Sequence, residues 1–394
     1  MKRVAVSDYT VVSALGAGRA ATLAALREGR SGLSQRQFET ATLDTWIGEV
    51  GGVDEVQLPE ALADFDCRNN RLAQIGLHAD GFERSVIRAR ERFGAARIGV
   101  FLGTSTSGIL QTELAYRRRD PASGAMPPDF RYAQTHNTYS VADFVRSSLG
   151  LAGPAFVVST ACSSGAKVFG AAARLMALGL IDAAVVGGID SLCLTTLYGF
   201  NSLELLSSDI CRPWDAQRRG LSVGEGAAFA LLERDAAEPR AWLLGVGESS
   251  DGHHMSSPHP EGAGAADAMR AALAQAGLAA AEVGYINLHG TATPNNDGAE
   301  DLAVCTVFGR DTPCSSTKGA TGHTLGAAGG VEAAIVMLAL QHGFMPGGLN
   351  RLEPDPALHC RYLDASRAAA LKVVASNSFG FGGSNACLVF GAAA

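Results

Sequence analysis

The stretch from Phe156 to Gly165 reads FVVSTACSSG, and the interpretation of the whole chain starts from it. Its first residues are apolar and partly β-branched, which favours a strand, and the Ala- and Gly-rich pattern after it favours a helix. Cys162 would then lie on a sharp strand-to-helix turn, the position of a nucleophile in other α/β enzymes. Because backbone amides and the helix dipole favour negative charge there, we expect them to lower the pKa of its thiol. The alternative for Cys162 is a structural role in the core, which we assign to the other seven cysteines.

Two later segments share this form of an apolar run, a turn of small residues and a helix. They read NLHGT at residues 287–291 and SSTKG at residues 315–319. Open α/β sheets bind ligands at the ends of their strands, so both turns are candidate site segments. The region after Phe156 also resembles the region after Pro313, which indicates an ancient internal duplication.

Short apolar runs alternate with longer helical patterns, which is typical of an α/β fold. The predicted strands are Arg3–Val6, Arg97–Leu102, Ala155–Ser159, Ala183–Gly187, Ala241–Gly245, Tyr285–Leu288, Val373–Asn377 and Ala386–Phe390. The predicted helices are Arg19–Arg27, Arg71–Phe93, Ser163–Leu178, Ala265–Ala276 and Gly330–Gln341. The polar stretch Glu233–Arg240 is the best junction between two units, residues 1–238 and 239–394, although it could equally be an ordinary surface loop.

Two histidines accompany the candidate nucleophile. His289 follows an apolar run, and His323 lies in the segment KGATGHTLG, where glycines allow a ligand to approach the backbone. A neutral imidazole donates one hydrogen bond, so two imidazoles that converge on one carbonyl oxygen could stabilise an enolate. Lys318 could orient an imidazole or act electrostatically, and Glu332 on the following helix could pair with it. A structural role is the alternative for either histidine.

The glycine-rich segment SNSFGFGGSN at residues 376–385 lacks the lysine of a nucleotide-binding P-loop and contains two phenylalanines. Its backbone amides could complete an oxyanion hole, and Phe379 and Phe381 could cover the thiol. A purely structural glycine turn is the alternative.

Composition excludes several classes of protein. The 394 residues are 47% hydrophobic and 18% charged, which is enough for a large core, and the net charge of −7 argues against a nucleic-acid-binding surface. No apolar stretch is of transmembrane length, and the first residues do not form a signal peptide. Eight scattered cysteines in so long a chain are neither a disulfide framework nor a zinc motif. We therefore expect a cytoplasmic protein with no membrane span, no nucleic-acid partner and no metal.

Four segments in order resemble the signature blocks of the β-ketoacyl-acyl carrier protein synthases, in particular the discrete elongating enzymes of bacterial fatty acid and type II polyketide systems. They are STACSSG at residues 159–165, HGTATP at 289–294, the stretch from Lys318 to Gly330, and the stretch from Asn377 to Asn385. The resemblance covers nearly the whole chain. It implies a thiolase-type fold, in which two similar α/β halves form a five-layered α-β-α-β-α core, usually as a dimer.

The resemblance also implies a role for individual residues. Cys162 corresponds to the acylated nucleophile, His289 and His323 to the pair that promotes decarboxylation, and Lys318 with Glu332 to their support. Glu300 corresponds to a nearby ionic network, and the amides of Cys162 and Phe381 correspond to the oxyanion hole. Phe381, with Phe379 beside it, corresponds to the gate between the acyl and extender sites. Thr291 and Thr293 correspond to contacts with phosphopantetheine, Ser256 and Ser257 to a mobile loop near that arm, and Thr106 to the loop that limits acyl length.

The reaction implied is a ping-pong decarboxylative Claisen condensation between a Cys-bound acyl chain and malonyl-acyl carrier protein. It needs no cofactor, because both substrates are carried on the phosphopantetheine of acyl carrier protein. Since carrier proteins are acidic, we expect basic docking residues at Arg68 and Arg71, with Arg117–Arg119 as a second candidate. The partner subunit would be a second copy or a homologous chain-length factor. Ser163-Ser164 and Asn295-Asn296 suggest a specialised polyketide or polyene pathway.

Three other classes fit less well. A degradative thiolase would carry a second catalytic cysteine in the C-terminal loop, where this chain has FGFGG. A cysteine protease would also need a Cys-His pair, but it would leave two active-site histidines and that loop unexplained. A non-condensing chain-length factor or scaffold is the main alternative, but such proteins usually lack the nucleophilic cysteine.

Overall fold

The computed structural model describes residues 2–393. The strands are β1 Val4–Ser13, β2 Gly16–Ala17, β3 Ser34–Gln35, β4 Trp46–Gly48, β5 Ile98–Gly103, β6 Ala155–Val158, β7 Ala183–Asp190, β8 Val223–Gly224, β9 Gly226–Glu233, β10 Ala241–Ser250, β11 Tyr285–Asn287, β12 Cys314–Ser315, β13 Phe344–Met345, β14 Arg367–Ala368, β15 Val373–Gly380 and β16 Ser384–Ala392. The helices are α1 Arg19–Glu28, α2 Arg68–His78, α3 Phe82–Phe93, α4 Ile109–Arg117, α5 Ser140–Ser148, α6 Ser164–Ala177, α7 Leu194–Ser202, α8 Ala263–Ala276, α9 Pro294–Phe308, α10 Lys318–Thr321 and α11 Ala328–His342.

The main sheet has the same topology on both sides of its centre. Its strand order is β12-β11-β15-β16-β10-β1-β9-β7-β5-β6, and the antiparallel pair β1 and β10 lies in the middle. Outward from β1, two antiparallel pairings lead through β9 to β7, and two parallel pairings lead to β5 and β6. Outward from β10, the same sequence of pairings leads through β16 and β15 to β11 and β12. This repeated order agrees with the predicted internal duplication.

The helices complete five layers. α6 and α11 pack against each other between the two half-sheets, where α6 contacts β5 and β10 and α11 contacts β9 and β15. α2, α3 and α5 cover the outer face of the N-terminal half-sheet, and α8, backed by α9, covers the outer face of the other. Each boundary between layers is filled by its own cluster of buried apolar side chains.

The two central helices meet at their backbones. A Cβ on Gly165 would lie 2.8 Å from the Gly326 carbonyl oxygen and 2.9 Å from the Gly330 amide nitrogen, closer than real Cβ contacts come. Glycine is therefore required at this crossing. Because α6 begins just after Cys162 and α11 just after His323, the crossing brings the N-terminal ends of both helices together.

Two of the predictions about elements are wrong. The helix predicted over Arg71–Phe93 is two helices, because Asp80 and Gly81 have φ of 58° and 73° and turn the chain between α2 and α3. The Asp80 carboxylate holds this turn by accepting hydrogen bonds from the Arg19 amide and the Thr10 hydroxyl. The segment Leu325–His342 is long and apolar enough to cross a membrane, contrary to our expectation for the sequence. Of its residues, 89% are buried inside the fold, as is typical of a core helix.

Candidate active site

The turn after β6 places Cys162 at the start of α6. Ala161 has φ of 52°, a strained conformation for a residue other than glycine. Local hydrogen bonds hold it: the Thr160 amide donates to Ser164 Oγ at 2.8 Å, and that hydroxyl donates to the Ala161 carbonyl at 2.6 Å. Cys162 is buried, with 6% of its surface exposed, at the end of a pocket. The small residues of this motif therefore serve to form the strained turn.

Both predicted histidines reach this thiol. His323 Nε2 lies 2.9 Å from Cys162 Sγ, and the two imidazole rings are 5.3 Å apart and nearly perpendicular. The three side chains come from the ends of β6, β11 and β12, as expected for the strand ends of an α/β sheet. Hydrogen bonds from the His323 amide to the Ser222 carbonyl and from the Gly224 amide to the His323 carbonyl anchor this histidine to the N-terminal half.

Burial sets the protonation states of these groups. It raises the pKa of the Cys162 thiol to about 12, and this outweighs the lowering by Lys318 and by the Phe381 amide. The expected net lowering of this pKa is therefore wrong, because burial of the thiolate outweighs the charge and the amide that favour it. Burial and the Lys318 charge also hold the pKa of both imidazoles well below the usual value. At neutral pH the centre thus contains a thiol and two uncharged imidazoles.

Lys318 supplies the positive charge beside the histidines. It is fully buried, and its Nζ donates to the carbonyl oxygen of His289 and to Glu332 Oε1, with His289 Nδ1 at 3.4 Å. Burial raises the pKa of Glu332 to about 7, although Lys318 opposes this. The ion pair with Glu332 compensates the positive charge of the buried lysine.

Glu300 on α9 holds the loop that carries His289. Its two carboxylate oxygens accept hydrogen bonds from the amides of His289 and Gly290, each at 2.8 Å. Asn377, from β15, donates a third hydrogen bond at 3.1 Å. Burial raises the pKa of Glu300 to about 7. Glu300 and Asn377 therefore fix the backbone of His289 without contacting the Cys162 thiol.

A pocket of about 200 Å³ leads from the surface to Cys162. The sequence-predicted residues that line it are Ser256, Ser257, His289, Thr291, Thr293, His323, Phe379 and Phe381. The Phe381 ring packs edge-on against Phe200 at 5.8 Å, and the Phe381 amide donates toward the sulfur. The Gly382 amide donates to the Met255 carbonyl at 2.8 Å, so the C-terminal glycine loop is tied to the loop that carries the two serines.

Three predicted residues lie away from this pocket. Thr106 does not line it, because the Thr106 side chain is buried and donates to Asp190 Oδ1 at 2.8 Å. Arg68 is only 3% exposed and pairs with Glu225, Asp54 and Glu49, so the prediction that it docks a carrier is wrong. Arg71 is partly exposed but is bound through two nitrogens to Asp66.

Sequence reasoning missed two buried acids that shape the site. Asp190, at the end of β7, accepts hydrogen bonds from Thr104, Ser105 and Thr106 and from the Gly326 amide at 2.6 Å. Glu225 accepts from Arg68 and from the amides of Val50 and Leu192. The available signal was an acidic residue close to glycine at the edge of an apolar run: Gly-Ile-Asp at the end of β7 and Gly-Glu-Gly just before β9.

Comparisons with known proteins agree with this geometry. The family description "Beta-ketoacyl synthase, N-terminal domain" matches residues 1–238, and "Beta-ketoacyl synthase, C-terminal domain" matches residues 240–351. The 3-oxoacyl-[acyl-carrier-protein] synthase 2 of Vibrio cholerae is 34% identical, with 99% of both chains covered. A chain from the structure of the ketosynthase ApeO in complex with its chain length factor ApeC, from Xenorhabdus doucetiae, is 37% identical with a TM-score of 0.89, covering 99% of this chain and 98% of its own. A β-ketoacyl synthase from Burkholderia phymatum is 32% identical over the full length of both chains, with a TM-score of 0.89.

A buried cysteine and two histidines at the strand ends of a duplicated α/β fold define an acyltransferase of the condensing type. This chain belongs to the β-ketoacyl synthase family, and the predicted thiolase-type fold is confirmed.

Proposed function

We propose that this synthase carries out both stages of a decarboxylative Claisen condensation at Cys162, joining an acyl chain to a malonyl extender on acyl carrier protein. The observation that carries the proposal is the position of His323 Nε2, 2.9 Å from Cys162 Sγ, beside His289 in one buried pocket. One nucleophile and two neutral hydrogen-bond donors are what the two stages need.

In the first stage, Cys162 Sγ attacks the carbonyl carbon of the incoming acyl thioester. The negative charge that develops on the carbonyl oxygen is stabilised by the amides of Cys162 and Phe381. The carbon–sulfur bond to phosphopantetheine then breaks, and the proton from the Cys162 thiol ends on the departing thiol. The Nε2–H of His323, 2.9 Å from Cys162 Sγ, stabilises the sulfur as its proton passes to the departing sulfur.

In the second stage, the malonyl thioester loses carbon dioxide and leaves an enolate. The Nε2–H groups of His289 and His323 hydrogen-bond the enolate oxygen, which a neutral imidazole can do because it still has one donor. The enolate carbon attacks the acyl-Cys162 carbonyl, and the cysteine sulfur leaves as a thiolate that takes a proton from solvent. Lys318, held by Glu332, keeps the imidazoles unprotonated, and Glu300 positions the His289 loop.

The pocket accommodates the arm of the carrier. Thr291 and Thr293 lie 2.9 Å apart through their hydroxyls and can hydrogen-bond phosphopantetheine, with Ser256 and Ser257 on the facing loop. Phe381, with Phe379 beside it, separates the acyl and extender sites. Thr106 would act on acyl length only through the Asp190 cluster. The reaction requires no cofactor or metal.

The partners we propose follow the relatives. The ApeO ketosynthase is described in complex with a chain length factor, so this chain pairs with a homologous chain-length factor or with a second copy. Carrier docking uses Arg117 and Arg119, which form no salt bridge within residues 2–393, and Arg71 contributes less because Asp66 occupies it. The two structural units divide at residues 238 and 239, and the enzyme works in the cytoplasm.

The experiment is mass spectrometry of the purified protein after incubation with a panel of acyl carrier proteins, followed by malonyl carrier protein. We expect an acyl adduct on Cys162 that disappears as β-ketoacyl product forms. If no acyl chain is accepted, alone or with a co-expressed homologue, the protein is a chain-length factor or scaffold and the proposal fails.

A further inference from the structure

Three cysteines gather outside the active-site pocket, although they are far apart in sequence. Cys305 is on α9, Cys314 is on β12, and Cys360 lies in the segment between β13 and β14. The sulfur atoms of Cys305 and Cys360 are 3.6 Å apart, and the Cys360 thiol is also hydrogen-bonded to that of Cys314. Asp301, one turn before Cys305, brings a carboxylate oxygen within 4.8 Å of both Cys305 and Cys360 sulfurs.

The spacing of the sulfurs fits a metal better than a disulfide. Two thiolates on a tetrahedral zinc ion are about 3.8 Å apart, given a Zn–S bond of about 2.3 Å. A disulfide requires about 2.05 Å. The 3.6 Å between Cys305 and Cys360 is the contact distance of two reduced thiols and already lies close to the spacing that a zinc ion requires.

The backbone around these ligands is already fixed. Asp301 Oδ1 accepts hydrogen bonds from the amides of His359 and Cys360, each at 2.8 Å. The Cys314 carbonyl accepts from the Leu363 amide at 2.8 Å, and the Cys314 amide donates to the Arg361 carbonyl. The three segments therefore hold their side chains together with little freedom left to lose on binding.

Asp301 also needs a positive charge. It is only 1% exposed, yet no salt bridge within residues 2–393 includes it. The partners of this carboxylate, two amides and the Cys360 thiol, carry no positive charge, so a bound cation would offset the cost of burying it. Asp301 lines a surface cleft with Ala357, Leu358 and the half-exposed Leu302, so a cation can reach it from solvent.

We propose that Asp301, Cys305 and Cys360 form a structural binding site for zinc. Cys314, beside Cys360 but outside the group of ligand atoms that lie within 4.8 Å of one another, completes the site when its side chain turns toward the ion. The site uses three thiolates and one carboxylate, a donor set that suits this cation. It ties α9 to β12 and to the segment between β13 and β14, on the outer side of the C-terminal half. Because α9 also carries Glu300, the ion braces the helix that holds the His289 loop. The cysteines are scattered along the sequence, which argues against a zinc motif, but the fold brings Cys305, Cys314 and Cys360 together.

The test uses a Cys162→Ala background, because Cys162, His289 and His323 also place ligand atoms within 4.8 Å of one another. The protein is loaded with zinc, dialysed and assayed for metal content, and then reloaded with cobalt for absorption spectroscopy. We expect about one zinc per chain and a thiolate-to-cobalt charge-transfer band. Zinc should also raise Tm by several degrees, since an ion that binds only the folded state stabilises it.

Adding Cys305→Ser and Cys360→Ser should abolish the bound metal, the band and the Tm shift. Adding Cys193→Ser, a buried cysteine elsewhere whose neighbour Thr196 offers a hydroxyl partner, should change none of them. Asp301→Asn keeps an oxygen for the two amides and should fold, while weakening zinc binding at least about tenfold. Equal metal content in all variants, no zinc in any, or a Cys305–Cys360 disulfide in the freshly purified protein would each overturn the proposal.

Discussion

The two halves of this synthase use one topology to hold different chemistry. In the N-terminal half, the turn after β6 presents Cys162, and the turn after β5 presents hydroxyls that bind Asp190. At the equivalent places in the C-terminal half, the turn after β12 leads to Lys318 and His323, and the turn after β11 presents His289. The duplicated scaffold therefore fixes where these side chains meet. The residue type at each position decides whether it can serve as a nucleophile or as a hydrogen-bond donor.

Burial shifts the pKa values of the site residues in the two halves in opposite directions, and in both halves the uncharged form is favoured. It raises the pKa of an acid such as the Cys162 thiol and lowers the pKa of bases such as His289 and His323. Both effects favour the uncharged form. The ion pair beside the histidines, Lys318 with Glu332, belongs to the C-terminal half.

The largest effect should come from removing the reactive group of the N-terminal half. Cys162→Ala should lower condensation by about 10⁴-fold or more, because no acyl-enzyme can form. Loss of carbon dioxide from malonyl carrier protein should persist, since it depends on the C-terminal half. Product analysis by mass spectrometry checks both reactions, and loss of decarboxylation in a folded variant would contradict the division of roles.

Removing a histidine of the C-terminal half should slow condensation while leaving acylation of Cys162 nearly unchanged. His289→Ala should slow condensation by about 10²- to 10³-fold, as removal of one oxyanion donor does. Acylation of Cys162 should remain within about threefold of the wild-type rate, because its oxyanion hole is made of amides. Single-turnover assays of each stage measure this, and His342→Ala, on the exposed end of α11, is the control. Equal losses in both stages would show that His289 also serves acyl transfer.

The protonation state of the thiol gives a prediction about pH. With a pKa of about 12 in the folded protein, the thiolate fraction of Cys162 should rise about tenfold per pH unit between about pH 6 and pH 9. Alkylation by iodoacetamide, followed at Cys162 by mass spectrometry, should therefore accelerate over this range without a plateau. The denatured chain should instead level off above about pH 8.5. A plateau below about pH 8 in the folded protein would show that the helix start outweighs burial.

The crossing between the halves can be tested through stability. Gly165→Ala should lower the free energy of unfolding by about 1–3 kcal/mol, because its Cβ meets backbone atoms of the other half that cannot move aside. Gly298→Ala is the matched control, since its Cβ would lie in open space within α9, and it should be neutral or raise stability by up to about 1 kcal/mol. Urea denaturation measures both, and similar values for the two would disprove the close crossing.

The smallest effect should come from carrier docking. A double change of Arg117→Glu and Arg119→Glu should raise KM for malonyl carrier protein about two- to tenfold with kcat unchanged, because surface charges mainly affect encounter. Arg118→Gln should change KM less, since Asp129 already neutralises Arg118. Steady-state kinetics with varied carrier distinguish these outcomes, and unchanged KM in the double variant would remove this surface from consideration.

The sequence allowed the fold and the residues of the candidate site to be predicted for separate reasons. Short apolar runs and small-residue turns are local signals, so Cys162, His289 and His323 could be placed at strand ends. The resemblance to a known family supplied the pairing between them. What could not be predicted depended on contacts distant in sequence. Arg68 looks like a surface charge until Glu225, 157 residues away, is seen to bury it, and the pKa of Cys162 depends on desolvation by the other half.

The position of β16 has a consequence for the biosynthesis of the enzyme. This last strand lies between β10 and β15, and the glycine loop before it closes over Cys162. A ribosome adds about 5–20 residues per second, so roughly 10 to 45 s pass between synthesis of the cysteine and synthesis of β16. When Cys162 is synthesised neither histidine exists yet, and in the unfolded segment its thiol has an ordinary pKa of about 8.5. A nascent chain is thus open to oxidation and alkylation before it can accept its first acyl group.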